Sequence, residues 1–296
     1  MAANTRDIRR RIKSVKNTAQ ITKAMEMVAA SKMRKSQIRA LNGRPYAEEL
    51  AKMLGALSAA GGSTESHPLL EKRSEVKKEL VLIISTDKGL CGALNTNLLR
   101  ELNQFDPAKT VFVAIGRKGA QYLGRLKRDL IAEFELKELF TFLESKQASK
   151  FCIEKFLSGE VDKVTVAFND FVSTLTQKPT LRVVLPVTNF ELSELDGHHG
   201  AQKIEAAPSD ATEYSFEPSA SGVLEHLVPH YIHFAVYQMV LESRASEHSA
   251  RMVAMKNATD NAKQLIKDLT LQYNKVRQAA ITTELLEITT AQMALG

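Results

Sequence analysis

Toward the end of the chain, apolar positions recur every seven residues. Met252, Thr259, Ile266, Tyr273 and Ala280 form one series; Met255, Ala262, Leu269 and Val276, offset by three, form a second. Apolar or small residues spaced alternately by three and four are the seam of a coiled-coil helix. The 66 residues from His230 to Leu295 contain neither Pro nor Gly, so nothing in them interrupts a helix. At roughly 1.5 Å per residue this predicts a helix about 100 Å long, longer than a domain of this size, so part of it should protrude. A long apolar seam in water needs a partner helix.

The start of the chain can supply that partner. Residues 1–42 also lack Pro and Gly, and Ile8, Ile12, Val15, Ala19 and Thr22 step by four and three. The seam is then expected to shift through Ile21, Met25 and Val28 to Met33. Asn4 or Thr5 can cap this helix, with Asp7 in its first turn, where an acid is favoured. Two seamed helices at opposite ends of one chain pack most simply antiparallel, and a seven-residue repeat gives a left-handed supercoil. Pro45, within LNGRPYAEEL, predicts a bend or an end of the first helix.

The middle of the chain has a different period. LVLIIS at 80–85 and TVFVAIG at 110–116 are short apolar runs of strand length, followed by helical stretches such as RKGAQYLGRL. A helix is expected from about Leu143 to Leu157. KVTVAFNDFVS at 163–173 and PTLRVVLPV at 179–187 then read as a hairpin across Thr174–Pro179. Strands alternating with helices predict β-α-β units and a partly parallel sheet. The polar stretch 189–218, with Gly197, His198, His199 and Gly200, reads as an exposed loop. The expected layout is an N-terminal coiled-coil helix over 1–58, a linker over 59–78, a central α/β domain over 79–188, a loop and foot segment over 189–218, and a long C-terminal helix over 219–296.

Charge sharpens this picture. Residues 1–44 hold twelve Lys or Arg against Asp7 and Glu26, a net +10, so the remainder of this +6 chain carries −4. A one-sided basic helix attracts an anionic partner: nucleic acid, acidic lipid or an acidic protein loop. A solvated face accounts for the same charges equally well. No stretch reaches the roughly eighteen apolar residues of a membrane span. The basic start has no apolar segment or cleavage site behind it, so no targeting peptide is expected. Cys91 and Cys152 match no metal spacing and suit a reducing compartment.

Candidate chemistry is sparse. Thr86-Asp87-Lys88-Gly89-Leu90-Cys91-Gly92 sits between a strand and a helix, a common ligand position, yet it has neither the P-loop nor the dinucleotide glycine spacing. Its glycines read as allowing a tight turn. His226, His230 and His233 share one helix face without an HExxH pattern, and a partly exposed face is the plainer account. No carboxylate pair stands out as a general acid and base. The last nineteen residues, QAAITTELLEITTAQMALG, are unusual in carrying only Glu284 and Glu287 as charges. Ile281, Leu285, Leu286, Ile288, Met293 and Leu295 go almost round the helix, so this tip should insert into something outside its own chain.

RIKSVKNTAQITKAMEMVAASKMRKS near the start and SEHSARMVAMKNATDNAKQLIKDLTLQYNKVRQAAITTELLEI near the end resemble the gamma subunit of F-type ATP synthases, as does STDKGLCGALN between them. The domain order matches over the full length. The resemblance implies an α/β fold class: a long antiparallel left-handed coiled coil of the terminal helices with a small central Rossmann-like α/β domain. It implies a non-catalytic rotor shaft that turns with the ring of c subunits inside the alpha/beta hexamer and couples ion flow to ATP synthesis on beta. The implied partners are the alpha, beta and epsilon subunits and the c ring, with no cofactor, no metal and no nucleic acid. Lys23, Met25, Arg277, Gln278, Thr282 and Glu284 match contacts to beta loops. Ile281, Leu285, Leu286 and Ile288 match the tip that turns in the hexamer. Tyr214, Phe216 and Glu217 match the foot near the c ring and epsilon. No insert with a cysteine pair is present, so thiol regulation is not expected. A bacterial plasma-membrane complex, with this chain peripheral on the cytoplasmic side, is the expected location. Two rival readings are a coiled-coil scaffold or nucleic-acid binder using the basic helix, and an α/β enzyme built on residues 80–116.

Overall fold

Every residue of Glu79–Ile84 after the first is buried, as a strand covered on both faces must be. This strand, β1, is the middle of a five-stranded sheet in the order β3-β2-β1-β4-β5. The structure, a computed structural model, describes residues 5–59, 67–71, 73, 75–137, 140–187, 217 and 219–295. The helices are α1 (Thr5–Ala59), α2 (Leu94–Glu101), α3 (Arg117–Arg125), α4 (Phe142–Leu157) and α5 (Ala220–Leu295). The other strands are β2 (Thr110–Ile115), β3 (Leu130–Phe134), β4 (Lys163–Phe171) and β5 (Gln177–Leu185). β1 pairs parallel with β2 and β4, and β2 parallel with β3. β5 returns antiparallel to β4 as the expected hairpin.

The chain divides into two compact units, one of residues 31–250, the other of α1 up to Ala30 with α5 from Arg251. In the first, the alternation of β1 sorts its side chains between two cores. Val81 and Ile83 join Phe112 beneath Leu98 and Leu99 of α2 and Leu123 of α3. Leu80, Leu82 and Ile84 face the opposite core, built with Cys152 and Phe156 of α4, Leu54 of α1 and Ile232 of α5. Each such side chain contributes about 1.5–3 kcal/mol through the water it leaves. α4 begins where Thr141 and Glu144 form a reciprocal capping box. β3, which no sequence signal separated from its surroundings, is an edge strand whose side chains alternate between half-buried and exposed.

Pro45 does not end α1. The helix runs through it to Ala59. The ring removes the backbone donor that would reach the Leu41 carbonyl, while α5 holds the same stretch from the side, where Gln238 donates to the Ala40 carbonyl (3.5 Å). Beyond it, Tyr46 bonds His230 Nε2 (2.6 Å), and Leu50, Leu54 and Leu57 are buried. Tertiary packing of this segment outweighs the cost of an interior proline, about 3 kcal/mol.

In the second unit, Arg9 donates to the Tyr273 hydroxyl (3.0 Å), and the Thr22 and Thr259 hydroxyls lie 2.7 Å apart. Advancing thirteen residues on α1 retreats fourteen on α5, so the helices run antiparallel as expected. On α5, Met255, Thr259 and Ala262 are buried, and Met252, Ile266, Leu269, Tyr273, Val276 and Ala280 are half-buried among exposed neighbours. The expected shift on α1 does not occur. Ile21 is 60% exposed and Val28 52%. The seam continues through Thr22 and Ala29, both buried, with Glu26 and Met33 half-buried. The small Thr22 and Ala29 fill the buried positions here, and the bulkier Ile21 and Val28 are left on the outer flank.

Candidate functional site

The strand order reverses between β1 and β4, the crevice where open α/β sheets usually hold a ligand. Here α5 fills it. Ser243 donates to the Ile84 carbonyl (3.4 Å), Ser246 to that of Asn169 (3.0 Å), and Ser249 to that of Thr174 (2.7 Å). Arg244, almost buried, donates to Asp87 (3.2 Å), Glu247 (2.9 Å) and the Leu136 carbonyl (3.2 Å). Burial opposes the guanidinium's charge, and the Glu247 and Asp87 carboxylates outweigh that and raise its pKa. This seat ties the helix to the strand ends.

The loop 86–92 serves the same end. Asp87 also accepts from the Arg117 amide (3.2 Å), and Asn95 donates to the Thr86 hydroxyl (2.8 Å) and to Cys91 Sγ (3.3 Å). Gly92 has φ +60, as the tight turn requires, and Leu90 shares that strained region at φ 64. Ser85 accepts from the Gly119 amide (2.8 Å), and a Cβ on Gly116 would lie 2.3 Å from the Ser85 carbonyl oxygen, so this turn admits only glycine. Burial pushes the Cys152 thiol up to about 12, which leaves it un-ionised and poorly nucleophilic. Among the described residues no group of three or more His, Cys, Asp or Glu could hold a metal. Of the three α5 histidines that share a face, His226 is exposed, His230 half-buried and His233 buried, where it bonds the Ser149 hydroxyl (2.7 Å), so the face is partly exposed, as expected.

What remains uncovered is the far part of α5. The pairs Arg9–Tyr273 and Thr22–Thr259 place Thr5, where α1 begins, level with about residue 277. Past that level α5 has no counterpart among the described residues. Ile281 is exposed by 48%, Leu285 by 58%, Leu286 and Ile288 by 59% each, and Met293 by 84%. A run of large apolar side chains in water on one helix marks a binding surface. Arg277, Gln278, Thr282 and Glu284 are exposed along its near end. Arg277 rests over the Tyr273 ring, 6.0 Å from its centre, and Thr282 donates back to the Gln278 carbonyl (2.9 Å). Lys23 is exposed on α1 and pairs with Glu26 (3.0 Å), while Met25 is half-buried. Lys23 stands beside the Thr259 level, some nineteen residues short of Arg277, or ~28 Å along the helix axis. The two sets therefore lie on one helix pair but do not form one patch. Tyr214 and Phe216 lie outside the described residues, as does the pair His198 and His199; Glu217 is exposed.

These features define a class: a helical-shaft protein whose α/β domain seats its long helix at the point where the strand order reverses, and whose helix end runs on, apolar and exposed, past the start of α1. The family model for ATP synthase matches residues 4–295. A relative called ATP synthase gamma chain in Methylacidiphilum infernorum is 51% identical, covering 99% of this chain and 100% of its own. One of the same name in Opitutus terrae is 50% identical, covering 99% of each. The central stalk and c-ring structure of the Tetrahymena thermophila mitochondrial ATP synthase contains a chain with TM-score 0.59 and 27% identity, covering 80% of this chain and 99% of that one. A chain of the Euglena gracilis mitochondrial ATP synthase shares the fold, with TM-score 0.68, 21% identity and coverage of 98% and 94%. The chain belongs to the ATP synthase gamma-chain family.

Proposed function

We propose that this chain is the central-stalk rotor subunit of an F-type ATP synthase. It carries torque between the ion-driven c ring and the catalytic alpha/beta hexamer, and so couples ion translocation to ATP synthesis. Family membership over the full length supports this, and the observation that carries it is the uncovered apolar end of α5 beyond the start of α1. That end, with Ile281, Leu285, Leu286 and Ile288, turns within the bore of the hexamer. Its near absence of charge suits a rotating surface, because fixed ion pairs would create preferred angular stops.

The shaft is not itself catalytic. ATP chemistry belongs to the beta subunits, and this chain acts by presenting a different side to each in turn. Lys23 and Met25 at one level, and Arg277, Gln278, Thr282 and Glu284 at another, meet beta loops. The segment with Tyr214, Phe216 and Glu217 forms the foot toward epsilon and the c ring. The complex sits at a bacterial plasma membrane with this chain peripheral on the cytoplasmic side. No helix among the described residues is long and apolar enough to cross a membrane.

Co-purification tests the whole reading. A tagged chain expressed in its own host should bring down alpha, beta and epsilon together with ATPase activity. Recovery of nucleic acid instead, lost steeply with salt, would replace the rotor with a scaffold.

A further inference from the structure

The β1-α2-β2-α3-β3 order sets α2 and α3 side by side on one face of the sheet, and a pocket of about 360 Å³ opens between them. Sites for small ligands occupy roughly 300–1,000 Å³. Arg100 of α2 with Lys118 and Arg125 of α3 line this one, and no carboxylate does. Among the described residues Arg125 donates only to the Gln121 carbonyl of its own helix (3.4 Å), and Arg100 and Lys118 make no ion pair. Elsewhere in the same unit cations lie against carboxylates: Arg73 on Asp162 (2.6 Å), Lys155 on Glu160 (2.7 Å), Lys163 on Glu79 (3.0 Å). Three uncompensated positive groups around one concavity repel one another unless an anion sits between them.

Two further features add to the field. Asn95 and Thr96 lie in the first turn of α2 and Lys118 in that of α3, so both helices turn their positive ends to the same end of the pocket. Ala93 gives α2 no side-chain cap. Opposite, the Tyr122 hydroxyl donates to Asn103 (3.3 Å) and fixes a neutral polar wall. A single carboxylate would leave two of the three charges unmatched. A chain of phosphoryl groups matches them, and two guanidinium forks with one ammonium suit its oxygens.

We propose that this pocket binds a small polyphosphate anion, either free or as the phosphate tail of a nucleotide. The site lies on the α2/α3 face of the sheet, its Asn95 end adjoining the loop 86–92, and it does not depend on the rotor function. Titration calorimetry on the full-length chain, with tripolyphosphate and with ADP as separate probes, tests it. Tripolyphosphate should bind saturably at one site. R100Q/K118Q should weaken it by about tenfold or more, the loss expected for charge-assisted hydrogen bonds. K13Q/K16Q, which removes the same charge from exposed positions of α1, should change it less than about twofold, as screened remote charge would. R125Q is a second variant, and circular dichroism checks that each keeps its helix content. Equal or tighter binding of ADP would assign the site to a nucleotide tail; binding of tripolyphosphate alone would assign it to the free anion. Absence of saturable binding, an equal loss in both double variants, or binding of polyglutamate alone would overturn the proposal, the last making this face a dock for an acidic protein.

Discussion

The hydroxyls of Thr22 and Thr259 meet at 2.7 Å inside the antiparallel seam, 237 residues apart in the chain. Each also reaches its own backbone: Thr22 toward the Ala19 carbonyl (3.1 Å), Thr259 toward that of Met255 (2.8 Å). One hydroxyl therefore donates across the seam while the other donates home. A polar pair in an otherwise apolar seam adds little net energy but penalises misaligned registers, in which a hydroxyl would face a methyl group.

Thr22→Val should therefore be mild, because Thr259 keeps its bond to Met255. A double-mutant cycle with Thr259→Val should give a coupling of about 0.5–1.5 kcal/mol in denaturant unfolding. A coupling near zero would mean that the contact specifies nothing.

Arg244 presents a harsher case. Its guanidinium is nine-tenths buried and joins Asp87 before α2, Glu247 on its own helix and the carbonyl of Leu136. Arg244→Ala would strand two carboxylates with little access to water, at about 3–5 kcal/mol. Arg244→Met with Glu247→Leu should recover part of that, because the second change removes one stranded charge. Urea midpoints of the three proteins check the order: native, then the double variant, then Arg244→Ala.

His233 makes the α/β unit sensitive to acid. Burial, with Lys146, His230 and Lys150 nearby, lowers its pKa from 6.5 to about 4. Unfolded chains then bind the proton that the folded chain refuses, so stability is full above about pH 6.5 and falls as pH drops toward 4. The loss is on the order of 3 kcal/mol at the low end. His233→Gln, which can keep a bond to Ser149, should flatten the melting temperature between pH 6.5 and 4.5. His230, also lowered by burial and by Lys146, adds a smaller slope of the same sign. An unchanged slope in His233→Gln would put the sensitivity elsewhere.

How far the sequence reached is uneven, for physical reasons. The α5 seam was legible because Met252, Thr259, Ile266 and their partners keep a strict period, and period is a property of the chain alone. On α1 bulk points to Ile21 and Val28, whereas the seam buries the smaller Thr22 and Ala29. Of the bend or end expected at Pro45, the end does not occur, since the packing of Tyr46 and Leu50–Leu57 that offsets its local cost is invisible in a window of sequence. The apolar end at Ile281–Met293 was legible as a surface without a partner. The seat of Arg244 was not, because its acceptors Asp87 and Leu136 lie more than a hundred residues away. Nor was the basic pocket, whose Arg100 and Lys118 look like scattered surface charges until two β-α-β turns bring them together.

Arg277 and Gln278 separate contact from stability most cleanly. Both are exposed, and among the described residues the Arg277 guanidinium rests only over the Tyr273 ring. Losing such an exposed cation–π contact costs about 0.5–1 kcal/mol, so R277A/Q278A should melt close to the parent chain. On the proposed contact with beta, the same change would remove charge-assisted hydrogen bonds, each of about 1.5–3 kcal/mol. Coupled ATP synthesis should fall by about tenfold or more in membrane vesicles, while the subunits still co-purify. Thr282→Ala should do much less, since its hydroxyl already bonds the Gln278 carbonyl. Full ATP synthesis by R277A/Q278A would remove these two residues from the torque path and leave the apolar end of α5 to carry the contact alone.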